Sequence, residues 1–426
     1  MNSRNLCLLI GLCLAASCAK PQRPNVVLVI VDTLRSDHLP AYGYEVHNTT
    51  PFLSGLEDSG QLEVLDGLVA ASSWTKPSVA TLFTGLSPAE HQVMRLQGKG
   101  SKLNTSDTLA QRFSDAGYAT ACVQSNFLLI RAMRAGYEQG FDEYFDAIGA
   151  KKDPHRGSTA ADAVKTGQKW VSELDDDQPW FLVLHFFDPH ASFEDHPNVD
   201  WLEDSYEGWV SGGASTDVLR ENEANCSADD IRALSAFYDE EILAVDQSIG
   251  VFVNSLRDSQ QWDDTVFLLT ADHGEELGER GHIGHTQTLM SELVDVPLMV
   301  RVPDKFSDKW MMEPSINGGY AMTQIYPALL MACDIDIPVG HSRNGPEILQ
   351  SQVDFAPIRR EHTEKYVQKI AIRRKNLHMI ADQRAGEVRM FDISADPKML
   401  SPLPTDHPQF SEMLDLLQAQ TWWQQQ

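Results

Sequence analysis

Residues 25–32 read NVVLVIVD, an unbroken run of β-branched and apolar side chains with no polar alternation. Such a run suits a parallel strand buried on both faces. The same pattern recurs at Trp180 to His185, at Thr265 to Thr270 and at Pro297 to Val302. Between these runs the period changes. Ser78 to Gly85 begins a helix behind a Lys-Pro-Ser turn, and Thr105 to Ala116 carries Leu109 and Phe113 on one face. Ala228 to Leu256 places Leu234, Phe237, Ile242, Val245, Ile249 and Phe252 on a stripe. These spacings predict helices packed on a sheet. The alternation predicts an α/β fold: a large central, mostly parallel mixed sheet with helices on both faces. Ser211 to Ala228 is polar and reads as a surface excursion. The tail differs, with short strands at Tyr366 to Arg373, Leu377 to Asp382 and Val388 to Ile393, closed by a helix from about Gln409 to Gln418. A small C-terminal lobe of short antiparallel strands is expected there. The domain plan is a leader over 1–18, a catalytic domain over 23–335 and a C-terminal subdomain over 336–426.

Composition narrows the partners. Among 426 residues, 34 Lys and Arg face 61 Asp and Glu, for a net charge of −27. A binder of nucleic-acid backbones needs the opposite sign. The first residues, MNSRNLCLLIGLCLAASC, hold a basic start, a short apolar stretch and small residues. That is the pattern of a secretory leader, too short for a membrane span. Leu14-Ala15-Ala16-Ser17-Cys18 resembles a bacterial lipobox, which predicts a lipid on Cys18, a tether to a membrane surface and a periplasmic or cell-surface location. The body holds Cys122, Cys226 and Cys333, neither a disulfide framework nor a zinc pair.

Candidate chemistry lies at the carboxyl ends of the strands, which share one rim in an open sheet. Asp32 ends the first run, and Asp272-His273-Gly274 follows the third. Two carboxylates and an imidazole make a set of metal donors. Thr75, just before a Pro-started helix, is a candidate nucleophile and metal ligand; the alternative is a helix cap. His190 and His285, in loops on the same rim, are candidates for contacting an anionic substrate or protonating a leaving group. His91 and His185 read as structural.

Several blocks in order resemble the sulfatase family of the alkaline-phosphatase superfamily: RPNVVLVIVDTLRSDHLPAYGY, TKPSVATLFTGLSPAEH, GYEQGFDEYFD, FLVLHFFDPH, YDEEILAVDQSIG, DDTVFLLTADHGEELGERG and RMFDISADP. The resemblance implies metal ligation by Asp32, Asp272 and His273, with Thr75 as nucleophile touching the metal. It implies catalytic contacts from His190 and His285, and substrate binding by Lys76 and Asn126. The implied cofactor is a divalent ion, zinc or manganese in preference, with calcium or magnesium as alternatives. Three departures matter. Thr75 and Val79 replace the Cys or Ser and the Arg of the formylglycine motif, and threonine cannot be oxidised to an aldehyde. Asp32-Thr33 replaces an Asp-Asp pair. VQSNF, at 123–127, replaces a lysine segment. These changes point toward phosphoester hydrolysis or transfer through a threonine nucleophile. Sulfate-ester hydrolysis without formylglycine, and a retained fold that only binds an anion, are the alternatives. The expected partner is an anionic ester, on a phospholipid headgroup or a glycan, with no nucleic acid.

Overall fold

The computed structural model describes residues 23–420 except 148–158, 195, 197–198, 204, 343 and 357–365. The leader and Cys18 lie outside the described residues. Seven strands form the central sheet: β1 (Asn25–Val31), β2 (Glu63–Val64), β3 (Ala119–Gln124), β4 (Glu143–Asp146), β5 (Trp180–Phe186), β6 (Thr265–Ala271) and β7 (Leu298–Arg301). Their spatial order is β2-β7-β6-β1-β5-β3-β4. β4, β3, β5, β1 and β6 run parallel, while β7 and β2 pair antiparallel at one edge. The sheet is therefore mixed and mostly parallel, as expected.

β1 sits between β5 and β6, with Val31 opposite Phe186 on one side and Ala271 on the other. Every residue of β5 and β6 is buried, and every residue of β1 but Asn25. Burying each such apolar side chain contributes about 1.5–3 kcal/mol, which is why continuous hydrophobic runs and not alternating ones fill the centre. The common register puts residues 32, 187 and 272 on one rim.

Helices α1 (Pro51–Asp58), α2 (Thr75–Thr84), α3 (Leu109–Asp115), α4 (Ala160–Ser172), α5 (Ala228–Asp258) and α6 (Ile325–Ala332) cover the sheet. α5 starts in a capping box, with Ser227 and Asp230 each satisfying the other's backbone N–H. Its stripe of Leu234, Phe237, Ile242, Val245, Ile249 and Phe252 is buried, as its spacing predicts. The segment read as a surface excursion instead contains a short helix, Thr216–Asn222, whose N-cap Ser215 accepts from Val218 N. The signal was present in Ser215 two residues before an acidic first turn, but the surrounding polarity hid it.

Beyond α6, strands β8 (Leu349–Phe355), β9 (Val367–Arg374), β10 (Leu377–Asp382) and β11 (Glu387–Asp392) form an antiparallel meander. Helix α7 (Phe410–Gln418) packs Phe410, Met413 and Leu417 on its apolar face. This lobe is stitched to the main domain: Gln352 N donates to Ala71 O at 2.8 Å and Arg373 pairs with Asp295 at 2.6 Å. Cys122, Cys226 and Cys333 are free thiols.

Candidate active site

Asp32 leaves the end of β1 and Asp272 the end of β6, and both side chains are fully buried. Thr33 takes a left-handed backbone, φ 59°, unusual for a β-branched residue. Its N–H donates to Asp272 Oδ1 at 3.2 Å, and its carbonyl accepts from the Tyr238 hydroxyl at 2.7 Å. Tyr238, on α5, also accepts from Arg35 N at 2.9 Å. The long helix thus holds the turn that aims Asp32. Gly274 has its own reason: a Cβ there would meet Glu292 O at 1.9 Å.

His273 donates from Nδ1 to Gly274 O at 2.8 Å, which leaves a lone pair on Nε2. That nitrogen lies 3.3 Å from Asp272 Oδ2 and 3.7 Å from Asp32 Oδ1. Both of these oxygens are buried with no hydrogen-bond partner. Burial, then the charge of Asp272, pushes the Asp32 carboxyl well above the usual range, and burial raises Asp272 as well. Burial lowers His273 to about 3, so its imidazole is neutral. Unpartnered buried carboxylate oxygens beside a lone-pair nitrogen are costly unless a cation joins them. Asp32, Asp272 and His273 form a divalent-metal site, and the donor set fits the ion.

Thr75 is the first residue of α2, not its cap. The N-cap is Trp74, and no side chain caps the helix. The Thr75 hydroxyl lies 3.4 Å from His273 Nε2 and accepts from Asn126 Nδ2 at 3.3 Å. The same Asn126 nitrogen donates to Asp32 Oδ2 at 2.6 Å. Asn126 follows β3, so three strand ends and one helix start converge here.

Lys76 does not join them. Its ammonium donates to the carbonyls of Arg95, Leu96 and Ser101, the last at 2.6 Å. All three of its donors are spent on that loop. Burial lowers its pKa to about 8.

His190 and His285 meet at the rim, ring centroids 4.9 Å apart, and His285 lies 4.5 Å from His273. Between them is Glu275, fully buried, which the sequence reading passed over. Its Oε1 is 2.9 Å from His285 Nδ1, and its Oε2 accepts from Ala191 N at 3.1 Å. The available signal was its place directly after Asp-His-Gly on the same rim. His185 was assigned to structure, yet its Nε2 lies 3.9 Å from Asp32 Oδ2 with neither ring nitrogen hydrogen-bonded. His91 is structural, held by Thr81 and the Pro77 carbonyl.

The sulfatase family model matches residues 24–335. An arylsulfatase from Clostridium perfringens is 23% identical over 471 residues, covering 93% of this chain and 93% of its own. A Kdo(2)-lipid A phosphoethanolamine 7''-transferase from Escherichia coli is 25% identical over 322 residues, 74% of this chain and 49% of that protein. This chain therefore spans about half of the transferase. Among solved structures, the phosphonate monoester hydrolase of Agrobacterium radiobacter superimposes with a TM-score of 0.70 at 19% identity, covering 92% of this chain and 94% of that one. A protein in complex with its substrate D-glucosamine-2-N,6-O-disulfate gives 0.71 at 16% identity, covering 93% and 97%.

Proposed function

From the premise that this chain belongs to the sulfatase family, we propose that it cleaves or transfers a phosphoester by nucleophilic attack of Thr75. It is a metal-dependent hydrolase or transferase of the sulfatase and alkaline-phosphatase superfamily. The observation that carries the finer reading is the Thr75 hydroxyl, buried against Asn126 and His273 and released from any capping duty.

Asp32, Asp272 and His273 would hold a divalent cation, which would supply positive charge for a developing alkoxide and for the oxygens of the transferred group. The chain's own residues do the rest. Thr75 Oγ1 bonds to phosphorus while the ester P–O bond breaks and the alcohol departs. Water or an acceptor hydroxyl then takes the phosphoryl group from Thr75 and restores the hydroxyl. Asn126 holds the nucleophile oxygen in register with Asp32 through one NH2 group. His190 and His285 face the group in transit, and the proton lost by the Thr75 hydroxyl ends on the leaving oxygen. Water is kept off the ground-state site by burial of Asp32, Thr75, Asn126, Asp272 and His273.

Sulfate-ester hydrolysis by direct threonine attack is the second reading, and the arylsulfatase relative matched along 93% of both chains favours it. One assay separates the two. Aryl phosphodiester, phosphomonoester and sulfate substrates with a common leaving group are compared for wild type, Thr75→Ser and Thr75→Ala. Thr75→Ala is expected to lose about three orders of magnitude or more in turnover with its melting temperature held. Full activity in folded Thr75→Ala removes the nucleophile assignment. Sulfate turned over fastest by wild type replaces phosphoester as the substrate class.

A further inference from the structure

We propose that the cavity between the hairpin of residues 276–284 and the C-terminal meander is a second, non-catalytic binding site. It takes a small zwitterion, with an ammonium on Glu276 and a phosphate-, sulfonate- or carboxylate-type anion on Arg389. The inference goes beyond the reaction at Thr75 and does not depend on its substrate.

Position comes first. The cavity has a volume of about 730 Å3, within the range of small-molecule sites. One wall is the hairpin, in which Glu276 pairs with Gly284 and Leu277 with Ile283. Successive side chains of a strand point to opposite faces. Glu275 and His285, bonded to each other at 2.9 Å, share the catalytic face. Glu276 and His282 share the reverse face and line the cavity. The other wall is the meander, through Tyr366, Arg389 and Phe391. Neither Thr75 nor the metal donors line it.

Unmatched charge comes second. Glu276 is 1% exposed, and neither of its carboxyl oxygens has a hydrogen-bond partner. The two guanidinium groups that act on it are already matched, Arg35 with Glu279 at 2.6 Å and Arg280 with Glu292. Burial, then the charges of Glu292 and Glu279, push its pKa up to about 8. A buried carboxyl without a partner is costly, and a cationic donor entering from the cavity removes that cost. On the facing wall, Lys369 is matched by Asp382 at 3.3 Å. Arg384 lies over the Tyr366 ring and donates to the Tyr366 carbonyl at 2.7 Å. Arg389 is exposed, and among the described residues its side chain enters no hydrogen bond or ion pair. One carboxyl and one guanidinium thus face the same space without closing on each other. A ligand with a single charge satisfies one of them. A zwitterion satisfies both, through charge-assisted hydrogen bonds. Gln287 and Thr288, with the rings of Tyr366 and Phe391, offer polar and apolar contacts to its carbon frame.

The test is calorimetry of the full chain with taurine and 3-aminopropanesulfonate, whose C–S bonds are not esters. Propylamine and propanesulfonate are the single-charge controls. Wild type is expected to bind an aminosulfonate about 10–100-fold more tightly than either control. Glu276→Gln is expected to bring the aminosulfonate down to the level of propanesulfonate, and Arg389→Met to that of propylamine. No binding of either aminosulfonate, equal affinity for all probes in wild type, or undiminished binding by Glu276→Gln overturns the proposal. Thr75→Ala and chelator-stripped protein are expected to bind as wild type does. Loss of binding in either places the ligand at the catalytic centre and overturns the second site. Should Glu276→Gln fail to fold, the melting temperature of wild type decides. A rise with 3-aminopropanesulfonate that an equimolar mixture of the two controls does not reproduce supports the site. An equal rise with the mixture refutes it.

Discussion

Asn126 and Lys76 show how one residue decides whether a neighbour can react. Asn126 places a single NH2 group between Asp32 and Thr75, so Asn126→Ala frees the nucleophile and takes one hydrogen bond from Asp32 without removing a metal donor. Turnover is expected to fall by about 10–100-fold, since loss of one hydrogen-bond partner in a buried site costs roughly 1–3 kcal/mol. Metal content should stay at the wild-type value; its loss would make Asn126 a determinant of the cation site instead. Lys76→Met leaves three carbonyls without their donor. A stability loss of roughly 1–3 kcal/mol follows, read as a shifted urea midpoint, with KM unchanged. A raised KM at unchanged stability would restore the substrate-binding role that the carbonyl contacts argue against. Tyr238→Phe belongs with these, because its hydroxyl serves both Thr33 O and Arg35 N. It should destabilise by a similar amount.

At the scale of elements, α1 has no capping side chain at Thr50. Asp246 of α5 caps it from outside, accepting from Phe52 N at 2.8 Å and Leu53 N at 3.0 Å. Burial outweighs these two bonds and lifts Asp246 to about 7. An unfolded chain has this group near 4. Between roughly pH 4 and 7 the native state therefore keeps a proton that the unfolded state has lost, and stability declines as pH rises through that window. Asp246→Asn should flatten this slope, on the order of 1 kcal/mol per pH unit, in urea unfolding at a series of pH values. A slope equal to wild type would show that Asp246 ionises in the fold as it does outside it. The elements also explain what was legible. β1, β5 and β6 announced themselves because burial on both faces demands continuous apolar runs. β3 reads Ala-Thr-Ala-Cys-Val-Gln, too short of large apolar side chains to stand out as a buried run, and it lies between β4 and β5. α4 mixes alanine, lysine and glycine, and packing against α5 and β5 makes it a helix. The metal donors were legible because each stands directly at a strand end. Glu275 and His185 were not, since their roles depend on neighbours distant in sequence.

For the whole molecule, the C-terminal meander does more than close the chain. β8 is bonded to Ala70 and Ala71, a few residues before Thr75, through Ser351 Oγ at 2.5 Å and Gln352 N at 2.8 Å. The lobe buttresses the segment that presents the nucleophile. The leader expected over residues 1–18 would add a second level of placement. Intact-mass and N-terminal peptide analysis of the mature protein is expected to find an acylated Cys18, tethering an acidic body of net charge −27 to a surface by lipid and not by charge. A free terminus at another residue would remove the anchor.

The place of β1 in the sheet has a kinetic consequence. Its partners β5 and β6 are made long after it: Thr33 waits for Asp272, 239 positions later. At about 5–20 residues per second, the ribosome needs roughly 10–50 s to deliver them. Through that interval NVVLVIV is an unpaired, sticky segment of the kind holdase chaperones retain, and no half-made chain can own a metal site. Cation loading is therefore expected to be the closing event of maturation, gated by when the middle of the sheet zips and not by how much zinc or manganese the nascent chain has met.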